Sequence, residues 1–409
     1  MGGGSRPGER LLMSEHEASV HVCTVCGGSE VDVFVSIPRV PVLCNVLWDT
    51  REEAQSVKRV DVDLAFCRTC GHIFNPNFDL ALMDYTQVYE NSLHYSPRFQ
   101  AYADDLATSL VSRHELSGKD IVEIGSGKGD FLEMLCELGE NRGYGFDPSY
   151  IPGATARDRT HAITFVQDFY SEDYADYPAD FICCRHTLEH IPQPRAFLQM
   201  LRRTIGSRSQ VPVFFEVPNA LATIRNLAIW DIIYEHCSYY TKYSLGYLFA
   251  EAGFEVTAIE EVYGGQFLTI EAVPADGSTL DAQRSWNQPQ LLYEDIASFA
   301  QRYRAKVAEE GEMLDAMQAS GQIGAIWGAG SKGITFLNIL DPGASIPYAV
   351  DINPRKQGKF ITGTGQEIVE PFALTANGVD KVFVMNSIYL DEIQTIVHGL
   401  GVASELVSV

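Results

Sequence analysis

Two glycine-rich loops, each entered from an apolar strand and left through a helix, constrain this chain more than any other feature. The first is Ile121-Val-Glu-Ile-Gly-Ser-Gly-Lys-Gly-Asp130 and the second is Gly324-Ala-Ile-Trp-Gly-Ala-Gly-Ser-Lys-Gly333. An apolar strand that feeds a helix through such a loop belongs in a mostly parallel sheet covered by helices on both faces. The glycines let the main chain turn sharply and approach a ligand. Each loop is followed by a second strand that ends in an acid, Gly143-Tyr-Gly-Phe-Asp147 and Tyr348-Ala-Val-Asp351. Such an acid suits ribose hydroxyls. A third strand after the first loop ends at Gln167-Asp168, where a carboxylate suits an adenine amino group. The fold class is therefore α/β with two Rossmann-like units. The loops differ in pattern, E-x-G-x-G-x-G in the first and G-x-G-x-x-G in the second.

Ahead of both loops stand two C-x-x-C-G knuckles, Cys23-Thr-Val-Cys26-Gly and Cys67-Arg-Thr-Cys70-Gly. Four thiolates fill the tetrahedral shell of Zn²⁺, and a filled shell means a structural ion. Four reduced cysteines without metal are the alternative, and His21 or His72 flanks each knuckle as a substitute ligand. Nine cysteines, an odd number clustered in pairs, with no export signal, fit a reducing cytoplasm. The balance of 54 acids against 30 lysines and arginines, a net charge of −24, argues against a nucleic-acid partner. No apolar run approaches the ~18 residues of a membrane span. The 409 residues divide into a polar lead-in (1–20), expected to be disordered, a zinc-binding domain (21–80), a core (81–275) and a second Rossmann-like domain (276–409).

The first loop, with Asp147 and Asp168, resembles the class I S-adenosylmethionine (SAM) methyltransferases. That resemblance assigns Glu123, Gly125, Gly127, Gly129, Asp147 and Asp168 to the cofactor. It also brings Arg185-His-Thr-Leu-Glu-His190 over the methionine end, with His186 at the cofactor and His190 facing the acceptor. Beyond the lead-in, the whole chain resembles the three-part C-methyltransferases that act on nucleotide-linked deoxysugars. The likeness rests on the two cysteine knuckles, the first glycine loop, His190-Ile-Pro, Glu235-His236, the Gly264-Gly265 strand, Gly328-Ala-Gly-Ser-Lys-Gly333 and Asp351-Ile-Asn-Pro-Arg-Lys-Gln-Gly358.

The resemblance implies deprotonation of a carbon beside a carbonyl, followed by attack of the enolate on the SAM methyl group. His236 would be the base, and His190 would polarise the enolate oxygen. Glu235 would orient His236 or the substrate, and Tyr89 would reach in from the stretch before the core. Tyr234, Asn219, Gly265, Lys332 and Lys356 would lie on the substrate side, and the second glycine loop would hold no dinucleotide. The cationic loop Arg355-Lys356-Gln-Gly-Lys359 is a candidate clamp for an anionic group, with a solvated loop as the alternative. Without the resemblance, Glu235 and Ser238 read as helix-capping residues beside a half-exposed histidine. Departures from the family pattern gather on the acceptor side, at Ile233-Tyr234, around Tyr89 and at Gln266. The expected substrate is a small molecule, either a nucleotide-linked sugar or a related metabolite. Methyl transfer to oxygen or nitrogen of a small metabolite is the alternative.

Overall fold

The computed structural model describes residues 21–83, 89–150, 162–275, 284–376 and 378–409. The expected lead-in lies outside them. Three sheets carry the described chain. The first contains β1 (Val31–Pro41), β2 (Arg59–Cys67) and β3 (Ile73–Phe74), all antiparallel. In β2 the alternation Val-Asp-Val-Asp-Leu sends Val62 and Leu64 inward, as a sheet with one wet face requires.

The second sheet holds β4 (Asp120–Ile124), β5 (Arg142–Phe146), β6 (Ile163–Val166), β7 (Phe181–Arg185) and β8 (Val213–Pro218), which run parallel. The chain then places β9 (Ser238–Tyr239) as the fourth strand of the first sheet, against β3. It returns through β10 (Phe254–Val262) and β11 (Phe267–Pro274), antiparallel additions beside β8. The third sheet, β12 (Gly324–Trp327), β13 (Tyr348–Val350), β14 (Glu367–Val369), β15 (Lys381–Val384) and β16 (Glu405–Ser408), is parallel throughout.

The strands that feed the two loops are covered: β4 is buried from Ile121 to Ile124, and β12 along its length. The strand orders β10-β11-β8-β7-β4-β5-β6 and β14-β13-β12-β15-β16 both reverse direction beside the glycine-loop strand. That reversal opens a crevice at the carboxyl ends of the strands, where doubly wound sheets bind ligands.

Packing turns the two crevices toward common ground. One apolar cluster joins Ile37, Val62 and Leu64 of the first sheet to Trp230, Phe299, Phe336 and Phe383. Trp230 meets Phe336 edge-on at 5.1 Å. Burying side chains of this size contributes roughly 1.5–3 kcal/mol each. Polar links reinforce the contact: Trp48 Nε1 donates to Thr362 Oγ1 at 3.0 Å, and Lys359 pairs with Asp49. A helix spans Pro97–Arg113, with Ser96 accepting from the Phe99 N–H as its N-cap. Among the described residues no helix is long and apolar enough to cross a membrane.

Candidate active site

The first glycine loop is shaped by its neighbours. Gly125 has φ 71°, and a Cβ there would be driven into the side chain of Thr187. Gly127 faces open space. Its N–H donates to Asp147 Oδ2 at 2.8 Å, and the Ser149 N–H donates to Oδ1 at 2.8 Å. Asp147 therefore ties the loop to the end of β5. Gly129 starts the helix Asp130–Gly139 with no side-chain cap, leaving main-chain N–H groups toward the crevice. Asp168 is held by the Tyr174 hydroxyl at 2.5 Å and by the Phe169 N–H at 2.7 Å. The Phe169 ring beside it is 63% exposed, an apolar face available for stacking that sequence reading did not single out.

Two of the residues assigned to the cofactor are held by protein partners. Glu123 is buried and takes a hydrogen bond from the Leu132 main chain, so it braces the helix after the loop. Burial lifts its carboxyl to about 8 against the pull of Arg185. His186 has left-handed backbone, φ 50°. Its Nε2 lies 2.6 Å from Glu216 Oε1, off the line of a hydrogen bond. Glu216, in β8, is fully buried, with Arg185 donating at 3.0 Å and the Tyr102 hydroxyl also donating. Burial works to raise its pKa, but Arg185 and His186 outweigh that and hold it at about 2.

A cavity of about 290 Å³ opens where the core, the chain before it and the third sheet meet. His186, Glu189, His190 and His236 line its core side, Asn45 and Tyr89 another wall, and the second glycine loop the wall opposite. His190 and His236 meet edge to face, with ring centroids 4.9 Å apart. His190 Nδ1 is 3.0 Å from the Glu235 carbonyl oxygen, which fixes Nδ1 as the donor and leaves Nε2 as a lone pair. His236 is hydrogen-bonded to the main chain of Asp231. Burial holds His190 down to about 4, and burial with the neighbouring His190 holds His236 well below the ordinary range. Burial thus disfavours the charged form of both rings, which keeps a lone pair on each but makes each a weaker base than a free imidazole.

Glu235 does not orient His236 with its carboxyl. That group accepts from the Cys44 N–H at 3.2 Å and from the Tyr89 hydroxyl at 3.3 Å, and burial raises it to about 7. Its work is to seat Tyr89 in the cavity wall while its carbonyl positions His190. The expectation of a helix cap at Glu235 also falls, since Ser238 begins β9. Glu189, which sequence reading left without a role, is 1% exposed and lies beside both histidines; its place next to His190 was the available signal.

On the substrate side the expectations divide. Lys332 lines the cavity, bonded to Gln266 Oε1 at 3.2 Å and paired with Asp231 at 3.1 Å. Gln266 and Asn386 exchange two amide hydrogen bonds of 2.8 Å, a bridge from β11's approach to the third sheet. Lys356 lines the cavity but is 6% exposed, and its ammonium donates to the Ala329 carbonyl at 3.0 Å. Tyr234 points elsewhere: its hydroxyl accepts from the Asp79 N–H at 2.8 Å and its ring stacks on Phe78. Asn219 caps the helix Ala220–Arg225 and donates to the Gly265 carbonyl at 2.9 Å, so neither it nor Gly265 lines the cavity. The cationic loop is no open clamp, because Arg355 pairs with Glu90, Lys356 with Asp351 and Lys359 with Asp49. Residues 84–88 of the aromatic stretch before the core lie outside the described residues.

Away from the cavity, Cys23, Cys26, Cys67 and Cys70 gather with their sulfurs within 4.8 Å of one another. The Cys23–Cys70 and Cys26–Cys67 separations are 3.6 and 3.5 Å, and no disulfide forms. Zn–S bonds of about 2.3 Å imply tetrahedral edges of about 3.8 Å, so the residues fit the ion. His72 is buried between Phe74 and Tyr240 and is not part of the cluster.

Comparison with known proteins agrees with this layout. Residues 96–259 match the family model described as a methyltransferase domain, and residues 287–400 match the C-methyltransferase C-terminal domain. The chain is 26% identical over 393 residues to C-methyltransferase NovU of Streptomyces niveus, covering 91% of this chain and 90% of that protein. Among solved structures, magnesium protoporphyrin IX methyltransferase of Synechocystis PCC 6803, with bound S-adenosylhomocysteine, overlaps 43% of this chain and 84% of its own at 15% identity and a TM-score of 0.32. The N1-methyltransferase of Burkholderia thailandensis that acts on 1,6-didemethyltoxoflavin overlaps 45% and 84% at 15% identity and a TM-score of 0.34.

Proposed function

We propose, from the premise that this chain is a SAM-dependent methyltransferase carrying a C-methyltransferase C-terminal domain, that it methylates a carbon next to a carbonyl in a nucleotide-linked sugar or related small metabolite. The observation that carries the reading is the pair of imidazoles, His190 and His236, edge to face at 4.9 Å in the wall of one cavity. Oxygen and nitrogen acceptors carry their own lone pair, whereas a carbon must first lose a proton, and this wall offers two groups able to take one.

Bound SAM supplies a methyl group activated by its sulfonium. The chain's own residues do the rest. The crevice of Gly125, Gly127, Asp147 and Asp168 would hold the cofactor. His236 takes the proton from the acceptor carbon. His190, fixed by the Glu235 carbonyl, presents its Nε2 lone pair to the cavity, so it accepts a hydrogen bond or a proton relayed from His236, and only once it carries that proton can it donate to the oxygen where charge collects. Tyr89, held by Glu235 and Asn45, and Lys332 offer hydrogen-bond donors to the acceptor's polar groups. The four cysteines hold one structural zinc ion, which ties the first sheet together. The fit of the sulfur spacings supports this assignment.

Proton abstraction can be read without methyl transfer. A nucleotide-linked 4-keto deoxysugar incubated with the protein in D₂O should exchange the hydrogen next to its carbonyl, followed by NMR. His236→Ala should slow that exchange by roughly 10²–10⁴-fold. Methyl transfer that proceeds undiminished in His236→Ala would contradict the reading and favour an oxygen or nitrogen acceptor.

A further inference from the structure

We propose that Glu189, His190 and His236 form a site for one divalent cation of borderline character, Zn²⁺ or Co²⁺, inside the acceptor cavity. One ligand atom from each of the three lies within 4.8 Å of the others. Glu189 is 1% exposed, and its Oε2 has no hydrogen-bond partner. A carboxylate oxygen buried without a partner is costly, and a cation removes that cost. Each imidazole already spends one nitrogen on the main chain, His190 at Glu235 and His236 at Asp231. Metal-bound histidines are held in that way, one ring nitrogen on a carbonyl and the other on the ion.

The donor set also selects the ion. Two imidazoles and one carboxylate suit zinc and cobalt, whereas Mg²⁺ and Ca²⁺ prefer oxygen ligands. The donors must close by roughly an ångström to reach bonds of about 2.0–2.2 Å. Three protein ligands leave a position open toward the cavity. His186 Nδ1, 3.9 Å from Glu189 Oε1, is a further nitrogen within reach. The site is chemically distinct from the four cysteines, which offer sulfur alone.

The cation would occupy the lone pair that His236 needs to accept a proton. Occupancy and the base role therefore exclude each other, which makes the site a brake on the reaction. The site stands on its own geometry; the braking consequence rests on the enolate reading.

The test is a Co²⁺ titration of the tag-free full chain with zinc in its cysteine site, followed by visible absorbance. We expect one equivalent bound, with d–d bands but no thiolate charge-transfer band. Affinity should fall at least tenfold in Glu189→Gln and in His190→Asn, with S-adenosylhomocysteine binding measured separately to report that each variant is folded. No cobalt bound beyond the cysteine site, or equal binding in both variants, overturns the site. Hydrogen exchange at the acceptor carbon should fall in step with cobalt occupancy; exchange that is unchanged or faster at full occupancy overturns the brake. The two readings fail separately, because exchange unimpaired by His236→Ala removes the base and leaves the cobalt result standing.

Discussion

The two glycine-loop units share one local skeleton and use it differently. In the core, the Gly127 N–H meets Asp147 Oδ2 at 2.8 Å and the Ser149 N–H meets Oδ1 at 2.8 Å. In the C-terminal unit, the Ala329 N–H meets Asp351 Oδ2 at 2.9 Å and the Asn353 N–H meets Oδ1 at 2.8 Å. Both strand orders reverse at the same point, and both loop helices begin at a glycine without a side-chain cap. What differs is the filling. Gly127 looks onto open space, with Asp168 and the exposed Phe169 nearby. The C-terminal crevice is stoppered by Lys356, whose ammonium sits on the Ala329 carbonyl, 3.7 Å from Asp351 and 4.0 Å from where a Cβ on Gly330 would stand. One local skeleton thus leaves the first crevice open and, with a lysine behind the loop, fills the second.

The sharpest way to break the comparison is to add one methyl group to each loop. Gly125→Ala forces a Cβ into Thr187 and should weaken S-adenosylhomocysteine binding at least 100-fold by calorimetry. Gly333→Ala drives a Cβ into the Gly328 carbonyl, so it should lower the melting temperature while leaving that affinity within twofold. Equal loss in both would mean that the two units do not divide the work.

Metal removal comes next in size. Stripping zinc from the four cysteines should lower the melting temperature and release the strand pairings of residues 31–74, read by hydrogen exchange, because binding energy at such a site is folding energy. Unchanged protection in that sheet would contradict a structural ion.

A pH experiment sharpens the role of Glu235. Its folded pKa of about 7 exceeds the ordinary 4.5, so the folded chain keeps a proton that the unfolded chain releases. That contribution is complete below about 4.5 and is lost as pH rises through 7. Wild type should therefore lose stability relative to Glu235→Gln between pH 5 and 8, by up to about 3 kcal/mol in denaturant melts. His190 has the opposite sign: held at about 4, it costs stability as pH falls from 6.5, and it does so equally in both proteins. The smallest effect is expected for Lys356→Met, with S-adenosylhomocysteine affinity unchanged and NAD⁺ still unbound. Acquired NAD⁺ binding would instead reveal that Lys356 alone excludes the dinucleotide.

The parts legible in sequence are those whose structure is local. A strand, a glycine turn and a helix lie within a dozen residues, and so does each cysteine pair, so both units and the sulfur cluster could be read directly. The direction of side chains at strand ends was not legible, because it depends on distant partners. Glu235 turns to Cys44, 191 positions away, and Tyr234 to Asp79, 155 away. Asn219 is drawn to the Gly265 carbonyl, and Glu216 to Arg185 and Tyr102. Arg355 and Lys359 looked available because their acids, Glu90 and Asp49, belong to the first hundred residues. Glu189 was overlooked because its meaning comes from His236, brought beside it by the loop after β8.

The most direct test of the division between the two units is a calorimetric titration of wild type, Asp147→Ala and Asp351→Ala with S-adenosylhomocysteine and, separately, with NAD⁺. The account predicts micromolar S-adenosylhomocysteine binding that is lost in Asp147→Ala and kept in Asp351→Ala, with no NAD⁺ bound by any of the three. NAD⁺ binding by wild type that disappears in Asp351→Ala would contradict it and make the C-terminal unit a cofactor site.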